Sequence, residues 1–398
     1  MARSDSVQAL VLHGAKDLRL ETRPQPTLRP GEVQVAIKAT GLCGSDLHYY
    51  HHGRNGNFVI QAPLVLGHEA SGVVTAVPET QNGTTNGSLP SSSLKVGDRV
   101  ALEVGIPCRS CSLCTTGRYN LCPKLSFRSS AKTFPHADGT LQTVISQPAS
   151  MCHLLPENVT FEEGALVEPL AVSLHGINRS QSAGSGSGVP LVGSTALVLG
   201  AGAVGMLTAA ALAVAGVSQI TIADIDAPRL KIAAGLAGGR FKLKTFLIPR
   251  KAPAPTIEET LAGAQDLASE ICKSAGLESG FDRVFECTGV PSCVQTGIFA
   301  ATAGGKLVLV GMGTPTQTLP LGAAALREVD IIGVFRYANC YPAAIALFAS
   351  GQLEGVARDL VTHHVALTEG EKAFRLAANQ PKDGEDEGRV PVKVVITS

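Results

Sequence analysis

Three side chains of different chemistry lie in two segments rich in small residues, and together they could hold a metal ion. Cys43 stands in GLCGSDLHYY, and His68 and Glu69 stand in GHEASG. A lone histidine is most often a hydrogen-bonded core residue, but a thiolate, an imidazole and a carboxylate together match catalytic zinc, which keeps one position open. Zinc would lower the pKa of a bound alcohol and stabilise the alkoxide, from which hydride could leave. Glu168, in EEGALVEPL, offers a further carboxylate.

A second cluster consists of four cysteines within fifteen residues. They follow the pattern C-x2-C-x2-C-x7-C and are Cys108, Cys111, Cys114 and Cys122. Two-residue gaps let neighbouring thiolates converge on one ion, and four soft ligands complete a tetrahedral zinc site with no open position. The expected role is therefore structural. An iron–sulfur cluster is the main alternative, because four cysteines also bind such clusters.

A glycine pattern predicts a dinucleotide site. Gly200, Gly202 and Gly205 form G-x-G-x-x-G between an apolar strand-like run and a helix-like run, and Asp224 follows nineteen residues after Gly205. Glycines permit a tight turn and a close approach of the backbone to pyrophosphate, while the carboxylate accepts hydrogen bonds from ribose hydroxyls. A carboxylate there would repel a 2′-phosphate, which favours NAD over NADP. Arg229 complicates this preference, because an arginine nearby can contact a 2′-phosphate.

The surrounding patterns predict two kinds of structure. The first ~160 residues are rich in short strand-like runs such as VQALVLHG and EVQVAIKATG, punctuated by glycine and proline. Residues 78–93 and the QSAGSGSG segment are expected to be loops. From about residue 170, strand-like and helix-like runs alternate, which is typical of a doubly wound parallel sheet. The uncharged run at 180–223 is long enough to span a bilayer, but its glycines and its missing basic flanks favour a buried strand and helix.

Composition narrows the possible partners and compartment. The formal net charge of the 398 residues is zero, so there is no electrostatic reason to expect a nucleic-acid or anionic-membrane partner. The N-terminal MARSDSVQAL lacks the apolar core of a secretory signal. Four of the ten cysteines are clustered as metal ligands would be, which predicts a reducing, cytoplasmic setting.

Seven segments, in chain order, resemble the medium-chain zinc-dependent dehydrogenases, and most closely the sorbitol, xylitol and L-arabinitol dehydrogenase branch. The segments are GLCGSDLHY, LGHEASGVV, LKVGDRVALEVG, the four-cysteine lobe, FEEGALVEPLAV, LGAGAVG and REVDIIGVFRYANCYP. The resemblance implies an α/β chain with a GroES-like β-rich catalytic domain at 1–170 and 336–398, including the cysteine lobe near 105–125. It also implies an NAD-binding Rossmann domain at 171–335.

The resemblance implies roles for single residues. Cys43, His68 and Glu69 would hold the catalytic zinc, and Glu168 would orient water at the zinc or enter its coordination shell. Ser45 and His48 would relay protons. The remaining implied residues line the sites: Tyr49, Glu168, Arg336 and Tyr337 for substrate, and Gly200, Gly202, Val204, Gly205, Asp224, Arg229, Val310, Gly311 and Met312 for NAD.

The implied activity is NAD-dependent oxidation of a polyol (sorbitol, xylitol or L-arabinitol) to a ketose. A carboxylate ligand where alcohol dehydrogenases of this superfamily place a second cysteine leaves the metal a stronger Lewis acid, and a charged Arg336 suits a hydroxyl-rich substrate. The alternatives are a zinc alcohol, threonine or aldose dehydrogenase, or a non-catalytic NAD-binding member. Family members are commonly homotetramers, so a homotetramer or homodimer is expected. FRSSAKTFPHADGTLQ departs from the FCATPP-type sequence of the branch, although Phe127 is still expected to face substrate.

Overall fold

The structure is a computed structural model that describes residues 6–78, 94–182, 190–252, 254–382, 384–385 and 388–398. The chain divides into two compact units, of which the first comprises Met1–Glu168, Tyr341–Gly351 and Val361–Ser398, and the second Pro169–Cys340 and Gln352–Leu360. Of the two loops expected from sequence, residues 79–93 and 183–189 lie outside the described residues.

The described part of the chain alternates short strands and helices. Its strands, in order, are β1 (Ser6–Gly14), β2 (Asp17–Pro24), β3 (Glu32–Gly41), β4 (Arg54–Asn55), β5 (Phe58–Val59), β6 (Leu64–Val65), β7 (Glu69–Ala76), β8 (Arg99–Leu102), β9 (Gly105–Ile106), β10 (Ser126–Phe127), β11 (Val144–Pro148), β12 (Cys152–Leu154), β13 (Thr195–Leu199), β14 (Gln219–Asp224), β15 (Lys244–Leu247), β16 (Phe281–Glu286), β17 (Ala301–Leu309), β18 (Asp330–Gly333), β19 (Val361–Ala366) and β20 (Lys393–Thr397). Its α-helices are α1 (Gly44–His52), α2 (Ser112–Thr115), α3 (Phe161–Ser182), α4 (Ala203–Val214), α5 (Ala227–Ala234), α6 (Ile257–Ala275), α7 (Pro291–Ala300), α8 (Leu321–Ala325), α9 (Tyr341–Ala349), α10 (Val356–Leu360) and α11 (Gly370–Ala377).

The first unit is built on a mixed sheet in the order β12-β8-β7-β3-β20-β19, with β11 also pairing with β3. Strand β3 lies at its centre, and seven of its ten residues are buried. The pairing of β3 with β7 sets Gly41 opposite Glu69, and the pairing of β3 with β20 sets Gly41 opposite Val395. The end of β3, the start of β7 and the start of β20 therefore meet at one edge of the sheet.

The second unit is built on a six-stranded, wholly parallel sheet in the order β15-β14-β13-β16-β17-β18. Counted from β13, this is the doubly wound order 3-2-1-4-5-6. The uncharged run near residue 200 forms β13 and α4, and eight consecutive residues of α4, 205–212, are buried. The predicted strand and helix are confirmed there, and no helix in the described ranges is long and apolar enough to cross a membrane.

Two expectations about element and domain bounds differ from the structure. The run PSCVQTGIFAATAG predicts a helix over 291–304, but α7 ends at Ala300. There Arg327 donates to the carbonyls of Ile298 (2.7 Å) and Ala301 (2.6 Å), and β17 begins. Residues 336–340 and 352–360, assigned from sequence to the catalytic domain, fall in the second unit. In the later stretch, α10 packs on α4, and Asp359 accepts from the Ala237 N–H at 2.7 Å. The functional assignment of the two domains stays a prediction.

Candidate metal centres and dinucleotide site

One candidate metal centre lies at the sheet edge where β3, β7 and β20 meet. The ligand atoms of Cys43, His68 and Glu69 all lie within 4.8 Å of one another. Cys43 caps the N-terminus of α1, while His68 and Glu69 lead into β7. The side chain of Glu69 fits over Gly41, where any Cβ would collide with its Oε2 atom. Sequence placed these three residues in one site, and the fold brings them together.

A buried carboxylate orients His68. Asp46 is completely buried in α1, and its Oδ1 atom lies 3.4 Å from Nδ1 of His68, while Ser45 Oγ lies 3.4 Å from Nε2. Burial alone would lower the pKa of His68, but Asp46, with a smaller contribution from Cys43, holds that pKa well above its usual value. Burial would raise the pKa of Asp46, but His68 and hydrogen bonds from Cys43 N and Ser129 hold it below its usual value. A carboxylate behind a metal-binding imidazole is the usual outer-shell arrangement, which would leave Nε2 to bind a metal.

Lys393 forms a buried ion pair with Glu69. The ammonium lies 2.8 Å from Oε1 and 2.7 Å from Oε2 of Glu69, and it donates to the carbonyl of Leu42 at 2.9 Å. Burial would lower the pKa of Lys393, but the charges of Glu69 and Cys43, with a smaller contribution from Glu168, raise it. Lys393 therefore balances an anionic ligand set that a divalent cation would also neutralise. The fit to zinc is good, because thiolate, imidazole and carboxylate are all zinc ligands.

Sequence reasoning missed Asp46 and Lys393. The available signals were an acidic residue in the first turn of α1 and a lysine at the head of the apolar strand β20. A charged residue in a run that otherwise reads as a buried strand needs a partner, because unpaired buried charge is costly. The partner could not be named from sequence, since Glu69 lies 324 residues away.

The other residues expected around this centre take several positions. Glu168 is buried at the end of the first unit, outside the converging group formed by Cys43, His68 and Glu69. His48 is exposed, with its ring centroid 6.1 Å from that of His52. Tyr49 is 2% exposed, and its hydroxyl accepts from the Ala131 N–H at 3.0 Å. The buried Phe127 ring packs 5.7 Å from the imidazole of His68. Arg336 and Tyr337 belong to the second unit, with the guanidinium 4.8 Å from the Phe335 ring.

The four cysteines of the lobe converge between β9 and β10. Their sulfurs lie within 4.8 Å of one another, with 3.9 Å between Cys108 and Cys114 and 3.4 Å between Cys111 and Cys114. Four sulfurs about 2.3 Å from one zinc would stand about 3.8 Å apart. Hydrogen bonds from Ser110 and from the Cys111 N–H lower the pKa of Cys108 to about 5, while burial and neighbouring thiols raise that of Cys114 to about 12. The spacing suits one ion better than a multi-iron cluster, whose thiolates bind different irons.

The glycine pattern lies at the junction of β13 and α4. Gly200 has a φ of +106°, Gly202 caps α4, and any Cβ on Gly205 would collide with the carbonyl oxygen of Gly200. Asp224 ends β14, where its carboxylate accepts from Ala201 N at 2.6 Å and Asp226 N at 2.9 Å. The turn, the helix N-terminus and the acidic strand end thus stand together as a dinucleotide fold requires.

Further expected cofactor contacts lie at other parts of the same unit. Arg229 donates its N–H to Asp226, the residue that caps α5, at 3.0 Å. Val204 is half-buried in α4 and accepts from Ser173 at 3.3 Å. Beyond β17, Val310 and Gly311 both donate to the Glu286 carbonyl at 2.9 Å, and Met312 is exposed. The β17 turn therefore lies beside the end of β16, at the carboxyl edge of the sheet.

The fold and the candidate sites together define a class of enzyme. A doubly wound parallel sheet with a glycine-rich turn, joined to a β-rich unit with a Cys-His-Glu centre and a four-cysteine lobe, is the architecture of a zinc-dependent dehydrogenase.

Comparisons with known proteins agree with that class. Residues 29–157 match the alcohol dehydrogenase GroES-like domain family, and residues 203–350 match the zinc-binding dehydrogenase family. The chain is 42% identical to sorbitol dehydrogenase of Mus musculus, over 93% of this chain and 92% of the relative, and 41% identical to that of Gallus gallus, over 94% of each. L-idonate 5-dehydrogenase of Escherichia coli superposes with a TM-score of 0.78 at 28% identity, over 99% of this chain and 98% of that one.

The chain belongs to the zinc-binding dehydrogenase family that includes the sorbitol dehydrogenases. The resemblance drawn from sequence is confirmed. So are the GroES-like and Rossmann fold class and the assignment as a zinc-containing dehydrogenase.

Proposed function

We propose that this dehydrogenase oxidises a polyol (sorbitol, xylitol or L-arabinitol) to the corresponding ketose, with NAD as hydride acceptor. The observation that carries the proposal is the convergence of Cys43, His68 and Glu69 within 4.8 Å on this fold. The sorbitol dehydrogenases at about 41% identity support the polyol class. A zinc ion held there supplies Lewis-acid activation of the alcohol.

The chain's own residues would hold that centre and move a proton. Asp46 fixes the ring of His68, and Lys393 offsets the negative charge of Glu69 and Cys43. Ser45 Oγ lies 3.4 Å from Nε2 of His68 and could relay the proton that the alcohol releases, accepting it while passing its own hydroxyl proton on. His48, exposed one turn further along α1, would pass it to solvent.

Glu168, Tyr49, Arg336 and Tyr337 are the proposed substrate residues. The buried carboxylate of Glu168 and the guanidinium of Arg336 could both hydrogen-bond hydroxyls, which favours a polyol over an apolar alcohol. Tyr49 accepts one hydrogen bond from Ala131 N and keeps its own O–H to donate.

The second unit would bind NAD. Pyrophosphate would lie on the N–H groups at the start of α4, with Gly205 allowing the close turn. The Asp224 carboxylate accepts two backbone N–H bonds and has lone pairs left for ribose hydroxyls. Its negative charge disfavours a 2′-phosphate, which supports NAD over NADP. Val204, Arg229 and the turn at 310–312 are the further proposed contacts.

The four-cysteine lobe is proposed to hold a second, structural zinc through Cys108, Cys111, Cys114 and Cys122.

We also propose a cytoplasmic homotetramer or homodimer. All ten cysteines lie in the described part of the chain and none of them forms a disulfide, which supports a reducing compartment. Light scattering on a sizing column would give the number of chains per particle, and a monomer would contradict the assembly proposal.

The substrate proposal is tested by NADH formation from sorbitol, xylitol, L-arabinitol, ethanol and threonine, with and without a zinc chelator. We expect chelator-sensitive turnover of one or more polyols. Turnover of ethanol or threonine alone would contradict the polyol class. Silence on every substrate would contradict the enzymatic role itself.

The ligand assignment needs its own variant. Glu69→Ala is expected to abolish polyol oxidation and to leave NADH binding, followed by fluorescence, unchanged. Glu157→Ala removes an exposed carboxylate from the same unit and serves as the matched control. Normal turnover by Glu69→Ala would show that this carboxylate is not part of the metal centre.

A further inference from the structure

One buried hydroxyl joins the two segments that carry the proposed zinc ligands. Ser129 Oγ donates to Asp46 Oδ1 at 2.8 Å and accepts from the Gly67 N–H at 3.0 Å. Asp46 lies three residues after Cys43 in α1, and Gly67 directly precedes His68. Ser129 is 4% exposed, so neither bond is shared with bulk water.

The backbone around Ser129 is fixed in an uncommon conformation. Its φ is +63°, in the left-handed region that favours glycine, and its N–H donates to the Ala137 carbonyl at 2.9 Å. Two residues on, Ala131 N donates to the hydroxyl of Tyr49 at 3.0 Å. The segment is thus fastened to α1 at two points. Backbone conformation alone would favour glycine at 129, so the hydroxyl is the feature that explains a serine there.

The carboxylate that Ser129 contacts is the one that orients His68. Asp46 Oδ1 accepts hydrogen bonds from Ser129 Oγ and from the Gly67 N–H at 3.1 Å, and Oδ2 accepts from the Cys43 N–H at 3.1 Å. The imidazole Nδ1 lies 3.4 Å from Oδ1, at ion-pair distance. Without the hydroxyl, Oδ1 would keep only Gly67 N and the imidazole. The carboxylate would then be held by the Gly67 and Cys43 N–H groups alone, which leaves it freer to turn about its Cβ–Cγ bond and leaves the imidazole less firmly oriented.

We propose that Ser129 is a positioning residue of the catalytic zinc centre, which fixes the His68 imidazole by holding Asp46 against the Gly67 turn. The inference rests on the proposed ligand set of Cys43, His68 and Glu69. It concerns a position within the FRSSAKTFPH segment, where this chain departs from the pattern of its branch. Removing an outer-shell partner typically weakens metal binding about 10- to 100-fold. Because Ser129 acts one residue further out, the lower end, about tenfold, is expected.

The test measures zinc release from the full-length, zinc-loaded protein into a chromogenic chelator. Cys43→Ser identifies the catalytic phase, because that phase should be missing from this variant. Ser129→Ala removes the hydroxyl, and Ser129→Gly removes it while relieving the backbone conformation, so it keeps the test valid if the alanine variant folds poorly. Ser130→Ala is the matched control: Ser130 is 5% exposed, and its hydroxyl accepts from Lys132 N at 3.3 Å rather than contacting Asp46 or Gly67.

Both Ser129 variants are expected to speed zinc release in the catalytic phase about tenfold. The rate of the other zinc phase should stay unchanged in them, and both rates should stay unchanged in Ser130→Ala. The visible spectrum of the cobalt-substituted protein should shift in the Ser129 variants alone. Release at the native rate from Ser129→Gly would overturn the proposal, and so would equal acceleration by Ser130→Ala. If Cys43→Ser kept both native phases, the proposed zinc centre itself would be wrong, a result distinct from failure at Ser129.

Discussion

Glu69 and Lys393 form a buried ion pair at the candidate metal centre. Both oxygens of the carboxylate contact the ammonium, and both side chains are almost wholly buried. Pairing inside a protein offsets the desolvation of each charge only while both partners are present. The strand pairings β3–β7 and β3–β20 hold the two residues in contact. The pair is therefore part of the sheet as well as of the site.

Replacing Lys393 with methionine is expected to destabilise the zinc-free protein by about 3–5 kcal/mol, because it leaves the buried carboxylate without a cation. Zinc binding should recover much of the loss, since the metal supplies positive charge to the same group. Urea unfolding of chelated and zinc-loaded protein measures both quantities. Lys372→Met, whose ammonium lies 3.3 Å from the exposed Glu369, is the control and should cost at most about 1 kcal/mol. Equal losses in the two variants would contradict a charge role for Lys393.

Sequence reasoning reached Cys43, His68 and Glu69 but not the residues behind them. The three ligands have side chains whose chemistry identifies a metal site wherever they lie. Asp46 and Lys393 gain their roles only from contacts, one across a loop and one across the sheet. Ser129 gave no signal at all, because a serine in an irregular segment most often marks a turn.

At the scale of elements, the glycine-rich turn depends on how closely α4 approaches the end of β13. Gly205→Ala is expected to push the helix off the turn, because the added Cβ would collide with the Gly200 carbonyl oxygen. NADH affinity should fall at least about tenfold, or about 1.4 kcal/mol. The measurement is a fluorescence titration with NADH.

The control for this substitution is Gly263→Ala. Gly263 lies in α6, and a Cβ there meets nothing within 4 Å. Alanine has the higher helix propensity by up to about 1 kcal/mol, so this variant should keep native affinity and gain stability. Native NADH affinity in Gly205→Ala would contradict the close approach at that turn.

The four-cysteine lobe has little secondary structure of its own. Helix α2 is four residues long, and β9 and β10 pair over two residues each. Cys114→Ser is therefore expected to reduce the zinc content by one ion per chain and to expose the lobe to protease, because metal binding drives the folding of such segments. Zinc analysis and limited proteolysis measure these effects. Cys272→Ser, at a half-buried thiol in α6, should change neither; an intact lobe in Cys114→Ser would contradict its role as a zinc ligand.

Helices and strands were predictable where the hydrophobic period and the positions of the glycines indicated the same element. Strand β3 spans the run EVQVAIKATG as expected, whereas α4 begins three residues before the run expected to be helical, 206–216, and ends two residues before the end of that run. The end of α7 was not predictable, because it depends on Arg327. This residue lies more than twenty positions further along the chain and donates to carbonyls at the end of the helix. Tertiary contacts of that kind override local propensity and leave no periodic trace.

At the scale of the whole molecule, the order of motifs along the chain predicted the two folds, because each motif belongs to one of them. The polypeptide passes from one unit to the other more than once. The residues at which it last does so could not be located from sequence. Residues 352–360 lack a distinctive pattern, and the bond from Ala237 N to Asp359 assigns them to the second unit. Boundaries of this kind depend on long-range contacts.

The stabilisation of the whole chain by zinc is expected to increase with pH. In the zinc-free protein, Asp46 holds the pKa of His68 well above that of the unfolded chain. This contribution to stability is therefore full below about pH 6.5 and is lost as the pH rises through the folded pKa. In the zinc-loaded protein the His68 imidazole would be neutral, so no such contribution to stability is lost as the pH rises over that range. The gap in unfolding free energy between zinc-loaded and zinc-free protein should widen with pH, by up to about 1.4 kcal/mol per pH unit for one proton.

Asp46→Asn isolates the contribution of His68, because it removes the carboxylate and keeps the Cys43 thiol. In that variant the pH-dependent part of the gap should move to lower pH. The pKa of Asp46 is itself lowered, so its own contribution is lost only on the acid side, as the pH falls through the folded pKa. Urea unfolding at a series of pH values from about 6.5 upward, above the ordinary histidine pKa, gives the gap for both proteins. A gap with the same pH dependence in the two proteins would show that the Asp46–His68 pair does not couple zinc binding to proton release.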